Sequence, residues 1–181
     1  MRMHIWRSVL GATLALVALP ANAGDAPYLP TPHEVVRVML EMAGVHRGDV
    51  VYDLGCGDGR IVIAALQAGA TRGVCVEIDP ERIAQARANA QRAGLAGDRI
   101  QFVEGDLFKV PIAEATVVTL YLLPSVNEKL RPRLLAELRP GTRVISHDFD
   151  MGTEWKPESE QTVSQPDHNH RVFRWTIPAA P

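Results

Sequence analysis

Apolar residues along the 181-residue chain fall into short runs separated by longer amphipathic stretches. Five runs have strand character: Val50 to Leu54 (VVYDL), Gly73 to Ile78 (GVCVEI), Arg99 to Val103 (RIQFV), Ala115 to Tyr121 (ATVVTLY) and Thr142 to Phe149 (TRVISHDF). The first, second and fourth are apolar almost throughout, as expected of strands covered on both faces. Between them lie segments with helical spacing. Thr31 to Ala43 carries Val35, Val36, Met39, Leu40 and Ala43, with Thr31 expected as the cap, Pro32 at the first helical position and Glu34 closing a capping box. Arg60 to Ala68, Pro80 to Ala93 and Ser125 to Leu138 are the other helices, with a kink expected at Pro132. Strands alternating with helices predict an α/β fold, a doubly wound and mostly parallel sheet with helices on both faces. Gln161 to Gln165 and Arg171 to Ile177 predict a C-terminal hairpin joined by residues 166–170, whose antiparallel strand is expected at the sheet edge. Trp155, Phe173 and Trp175 are assigned to packing there.

The N-terminus follows a different pattern. Arg2 and Arg7 precede the apolar stretch Ser8 to Leu19, and Pro20 to Ala23 ends in a small-residue cleavage pattern. This predicts a signal peptide over 1–23, followed by a leader and helix over 24–48 and one domain over 49–181. The mature chain is expected to be exported to the periplasm, with no membrane span retained. An uncleaved leader would instead leave it anchored or cytoplasmic. Loss of Arg2 and Arg7 would take the formal charge from −2 to −4. Without a basic field, nucleic acid is not an expected partner. A monomer is expected. Cys56 and Cys75, the only cysteines, are expected as buried free thiols, with a bridge between them as the alternative.

Strand, glycine turn and helix follow directly in Asp53-Leu54-Gly55-Cys56-Gly57-Asp58-Gly59-Arg60. Glycines there let a ligand approach the backbone. A dinucleotide fingerprint would need a third glycine where Arg60 stands, and a phosphate loop would need Gly-Lys-Ser/Thr, so both fail. Glu77 ends the second strand, eighteen residues beyond Gly59. A carboxylate there suits the two hydroxyls of a ribose, and its loss should weaken adenosine binding about a hundredfold. Asp58 and Arg60 are assigned to an ion pair at the helix start.

The DLGCGDG turn with Glu77 resembles motifs I and II of the seven-strand (class I) S-adenosylmethionine-dependent methyltransferases, over roughly residues 49–177. The resemblance implies a Rossmann-like fold with an antiparallel seventh strand, and S-adenosylmethionine as cofactor. It also implies a cofactor set of Asp53, Gly55, Gly57, Gly59, Glu77, Asp106 and Leu107. In that set Asp53 lies near the methionine amino group, Asp106 meets the adenine amino group, and Leu107 lies beside the ring. Three further segments, Pro27 to Pro32, Asp53 to Ile61 and Thr119 to Pro124 followed by Leu130-Arg131-Pro132, resemble the small protein-lysine methyltransferases best known from mitochondria, and more distantly the non-SET histone-lysine methyltransferases. A protein lysine is then the implied acceptor, with a small molecule, or a non-catalytic nucleoside-binding module, as alternatives.

No N-P-P-Y segment follows the fourth strand, which removes support for amide or base methylation. Tyr121 and Leu122 stand in its place, and with Tyr28 they are the candidate catalytic-site residues lining the mouth. His147 and Asp148 are the available bases, His147 also reading as a structural histidine. His168 and His170 form an H-x-H pair in a polar turn, to which no metal is assigned.

Overall fold

The computed structural model describes residues 29–179, except 96 and 167. The leader over 1–23 and Tyr28 lie outside the described residues. Eleven elements follow in order: α1 (His33–Ala43), β1 (Val50–Leu54), α2 (Arg60–Gln67), β2 (Arg72–Glu77), α3 (Pro80–Arg92), β3 (Ile100–Glu104), β4 (Val117–Leu120), α4 (Pro124–Glu137), β5 (Arg143–His147), β6 (Ser159–Ser164) and β7 (Asn169–Thr176). The sheet order is β3-β2-β1-β4-β5-β7-β6. The first five strands are parallel, and β7 pairs antiparallel with both β5 and β6. The antiparallel strand therefore lies inside the sheet, not at its edge, because the hairpin docks through its second strand and leaves β6 outermost.

Strand alternation splits the interior into two cores. Val51, Cys75, Val117, Ile145 and Val172 face α1, α2 and α3. Tyr52, Leu54, Val76, Val118, Val144, Phe173 and Trp175 face the other way, where α4 contributes Leu130 and Leu134. Trp155 packs on Trp175 with ring centroids 5.7 Å apart, and its carbonyl accepts the Trp175 indole N–H at 2.9 Å. Helix α4 runs through Pro132 without interruption. No described helix is long and apolar enough to cross a membrane.

Two local expectations are corrected. Thr31 does not cap α1: Pro32 occupies the N-cap position, and no side chain caps the helix. Thr31 Oγ1 is instead buried against His147 Nδ1, 3.1 Å away, and Glu34 pairs with Arg37. A tertiary partner for the hydroxyl displaced the local one. The cysteines are not free: Cys56 and Cys75 form a disulfide, with Cα atoms 5.3 Å apart. The glycine turn folds back over β2, where the N–H groups of Gly55 and Cys56 both donate to Val76 O at 2.8 and 3.0 Å. That fold brings Cys56 over the face from which Cys75 projects, within bridging distance.

Beneath the opposite, amino-terminal end of the sheet, Asp49 is 2% exposed and anchors three segments. Its carboxylate accepts from the His46 N–H at 2.9 Å and the Thr116 hydroxyl at 2.7 Å, and pairs with Arg143.

Candidate active site

The carboxyl ends of β1, β2 and β4 converge on the glycine turn, where open α/β sheets bind ligands. Gly55 and Gly57 have φ of +84° and +53°, in the left-handed region that β-carbons disfavour. A Cβ on Gly55 would lie 2.9 Å from Leu122 Cδ2, so the segment after β4 is seated directly on the turn. Asp58 and Arg60 form the expected ion pair at 2.6 Å, and Arg60 also reaches the Thr31 carbonyl at 2.9 Å.

Asp53 is buried at the end of β1. Its Oδ1 accepts from the Thr119 hydroxyl at 2.8 Å, while Oδ2 is buried with no hydrogen-bond partner among the described residues. Burial pushes its carboxyl up to about 7; the Thr119 hydrogen bond opposes this, and the charges of Glu77 and Asp58 add to it. A buried orphan acceptor calls for a donor, and a cationic amino group supplies one together with a compensating charge.

Glu77 accepts three backbone N–H groups: Gly57 at 3.0 Å on Oε2, and Ile78 and Asp79 at 2.8 and 3.1 Å on Oε1. A carboxylate has about four acceptor positions, so roughly one is left for a ribose. Glu77 thus braces the glycine turn. Gly105 N–H donates to the Glu77 carbonyl at 2.8 Å, which sets the β3–β4 loop alongside. In that loop Asp106 accepts the Phe108 N–H at 2.9 Å and meets Lys109 at 3.4 Å, and Leu107 is packed against the α4-side core. Ile78 reads in the sequence as the continuation of β2. It is 69% exposed immediately after Glu77. Exposure in an otherwise apolar run is the signal, and one sequence does not carry it.

Tyr121 and Leu122 follow directly on β4, at the carboxyl end of the sheet. The Tyr121 ring lies on the His147 ring, centroids 3.9 Å apart, and stacks with Phe149 at 6.3 Å. Burial raises the Tyr121 phenol, and the charge of Asp148 together with a hydrogen bond to it adds to the rise. His147 is fully buried beneath Tyr121, and burial lowers its imidazole to about 4 against the pull of Asp148. A covered imidazole this weakly basic does not act as the base at the mouth. Tyr121 and Asp148 are only partly buried above it.

The residues present fit an S-adenosylmethionine-type ligand: an unpaired buried carboxylate for its amino group, a turn with glycine at 55, 57 and 59, and a braced acceptor for its ribose. Residues 53–159 match the family described as the ANTKMT methyltransferase domain. A protein-lysine N-methyltransferase of Saccharolobus islandicus is 51% identical over 152 residues, 83% of this chain and 93% of that protein. The adenine nucleotide translocase lysine N-methyltransferase of Mus musculus is 37% identical over 74% of this chain, which spans 57% of that longer protein. Among solved structures, an RNA methyltransferase from Salinibacter ruber in complex with S-adenosyl-L-homocysteine is 56% identical, with a TM-score of 0.76, over 84% of this chain and 96% of its own. The chain belongs to the ANTKMT methyltransferase domain family and is an S-adenosylmethionine-dependent methyltransferase.

Proposed function

Starting from that family, we propose that the acceptor is the side-chain amine of a lysine in a protein. One observation carries the reading: the segment that follows β4, which seats Leu122 on the glycine turn, is aromatic and aliphatic, with Tyr121 before Leu122 and the exposed Leu123 after it. The names of the Saccharolobus and mouse relatives support it. When bound, the cofactor supplies a methyl group made electrophilic by a sulfonium. The chain's own task is alignment and control of the amine. Near-attack alignment accounts for much of such a displacement. A lysine with an ordinary pKa of about 10.4 costs roughly 4–5 kcal/mol to deprotonate at pH 7. That apolar segment disfavours the ammonium form and offsets part of that cost. Asp53, through its unpartnered Oδ2, and Glu77, through its braced carboxylate, hold the cofactor; Asp106, Leu107 and Ile78 line the nucleoside side. The Tyr121 phenol keeps its proton and donates it to Asp148, which leaves its oxygen to accept a hydrogen bond from the amine and orient it; the amine's proton leaves to solvent. The Cys56–Cys75 disulfide suits an oxidising compartment, which supports export through the leader over 1–23.

The test is methyl transfer from labelled S-adenosylmethionine into cell-envelope protein, read as ε-N-methyllysine by mass spectrometry. Label should enter protein, vanish when the lysines are acetylated beforehand, and fall at least tenfold with Glu77→Ala. The Salinibacter relative makes RNA the informative competitor. The net acidic charge opposes it. Label that is sensitive to ribonuclease and indifferent to lysine blocking would refute the lysine reading.

A further inference from the structure

His147, Asp148 and His170 bring three donor atoms together at the end of β5, where the Tyr121 ring lies on the His147 ring. His147 Nε2 lies 2.9 Å from His170 Nδ1 and 3.2 Å from Asp148 Oδ2; His170 Nδ1 lies 3.1 Å from the same oxygen. These atoms make a nearly equilateral triangle. Two ring nitrogens carry at most two protons between them, so hydrogen bonds can bridge two of its edges at most. All three atoms, by contrast, can point lone pairs at one cation. Tetrahedral coordination with bonds of 2.0–2.1 Å puts donor atoms about 3.3–3.4 Å apart. The observed edges are a few tenths of an ångström short of that.

The surroundings aim the donors. Thr31 Oγ1 sits 3.1 Å from His147 Nδ1, and that outer contact directs Nε2 to the triangle. Asp148 is the only described non-glycine residue with positive φ, at +60°. Its Oδ1 accepts the Arg171 N–H at 2.9 Å and its own N–H donates to the Arg171 carbonyl at 2.7 Å, which leaves Oδ2 turned to the histidines. A left-handed conformation at an aspartate carries strain, and here it serves to present a carboxylate. His168 Nε2 lies 3.9 Å from the same Oδ2 on an exposed side chain, within reach as a fourth ligand. His147 and His170 are buried, so a cation there would be held largely out of water.

We propose that His147, Asp148 and His170 form a binding site for one divalent transition-metal ion of the zinc class, with His168 or water completing the coordination. Two histidines and one carboxylate on adjoining strands are a donor set for zinc and for ferrous iron. The ion would tie the end of β5 to the β6–β7 hairpin and fix the platform on which Tyr121 rests, at the edge of the acceptor mouth. The site is independent of the acceptor's identity.

Cobalt(II) is the probe, added to the full chain after stripping with chelator. One equivalent should give the intense visible d–d absorption of a low-coordinate site, and zinc should bleach it. At about a hundredfold excess over Kd, zinc should raise the Tm of the stripped chain by roughly 5–10 °C. His170→Ala and Asp148→Asn should abolish the cobalt spectrum, and Thr31→Val should weaken binding about 10–100-fold, the loss expected of an outer-shell partner. Ferrous iron that displaces cobalt more readily than zinc does would identify the native ion as iron and leave the site standing. A folded wild-type chain that shows neither spectrum nor zinc-dependent Tm would overturn the proposal. So would cobalt binding that survives both His170→Ala and Asp148→Asn, because the ion would then lie elsewhere.

Discussion

Lowering the pH from 7.0 to 5.5 should weaken cofactor binding through one residue, Asp53. Its carboxyl, pushed up to about 7 by burial, is half ionised at pH 7 in the free chain. At pH 5.5 only about 3% is ionised, so a ligand that needs the carboxylate binds roughly fifteenfold more weakly, about 1.6 kcal/mol. The ligand's own α-amino group, titrating near 7.7–8.0, stays charged across that window. Protonation of Asp53 therefore carries the change. The sign for stability is opposite. A carboxyl raised in the folded state stabilises the free fold below about pH 3.9, and that contribution is lost as pH rises through about 7. Cofactor should then raise the Tm more at pH 7.5 than at pH 5.5. Calorimetry at pH 6.0 in two buffers of different ionisation enthalpy should report about 0.9 proton released per cofactor bound. Asp53→Asn should bind more weakly at pH 7 and lose both the slope and the proton release. If the variant keeps the wild-type slope, the titrating group is not Asp53 and the assignment of its orphan oxygen to the ligand fails.

Three other outcomes follow from the same structure. Gly55→Ala forces a β-carbon into φ +84° and to within 2.9 Å of Leu122, and should cost about 1–2 kcal/mol of stability and more than tenfold in cofactor affinity; unchanged affinity by titration would show that Leu122 moves freely off the turn. Reducing the Cys56–Cys75 disulfide, which closes a sequence separation of 19, should lower unfolding free energy by about 3 kcal/mol in guanidinium titrations, and alkylation without reductant should label neither thiol. Asp49→Ala strips Arg143 of its buried partner and should cost about 3 kcal/mol at pH 7. Burial raises the Asp49 carboxyl, but hydrogen bonds from His46, Thr116 and Arg143 outweigh it and hold it low. Its contribution is therefore present above about pH 4 and lost as pH falls through the depressed value, so the wild-type and variant stability curves should converge in acid.

Much of this protein was legible in its residues. Runs such as VVYDL and TRVISHDF, broken by amphipathic helices, specify a parallel sheet because apolar periodicity reports burial directly, residue by residue. The DLGCGDG turn and Glu77 marked the cofactor end because their chemistry is local: glycine permits the backbone and a strand-end carboxylate faces the ligand. What the tertiary structure alone decided are distances between segments far apart in the chain. Cys56 meets Cys75 only because the turn hydrogen-bonds back onto Val76. Thr31 leaves its cap for His147, 116 residues away. His170 reaches His147 because β7 enters the sheet beside β5, in a register that sets His147 opposite Val172. Periodicity says which face a residue takes, whereas strand order and register say which residues on that face touch. Those are settled by competition among alternative packings of the whole chain, which no local window contains.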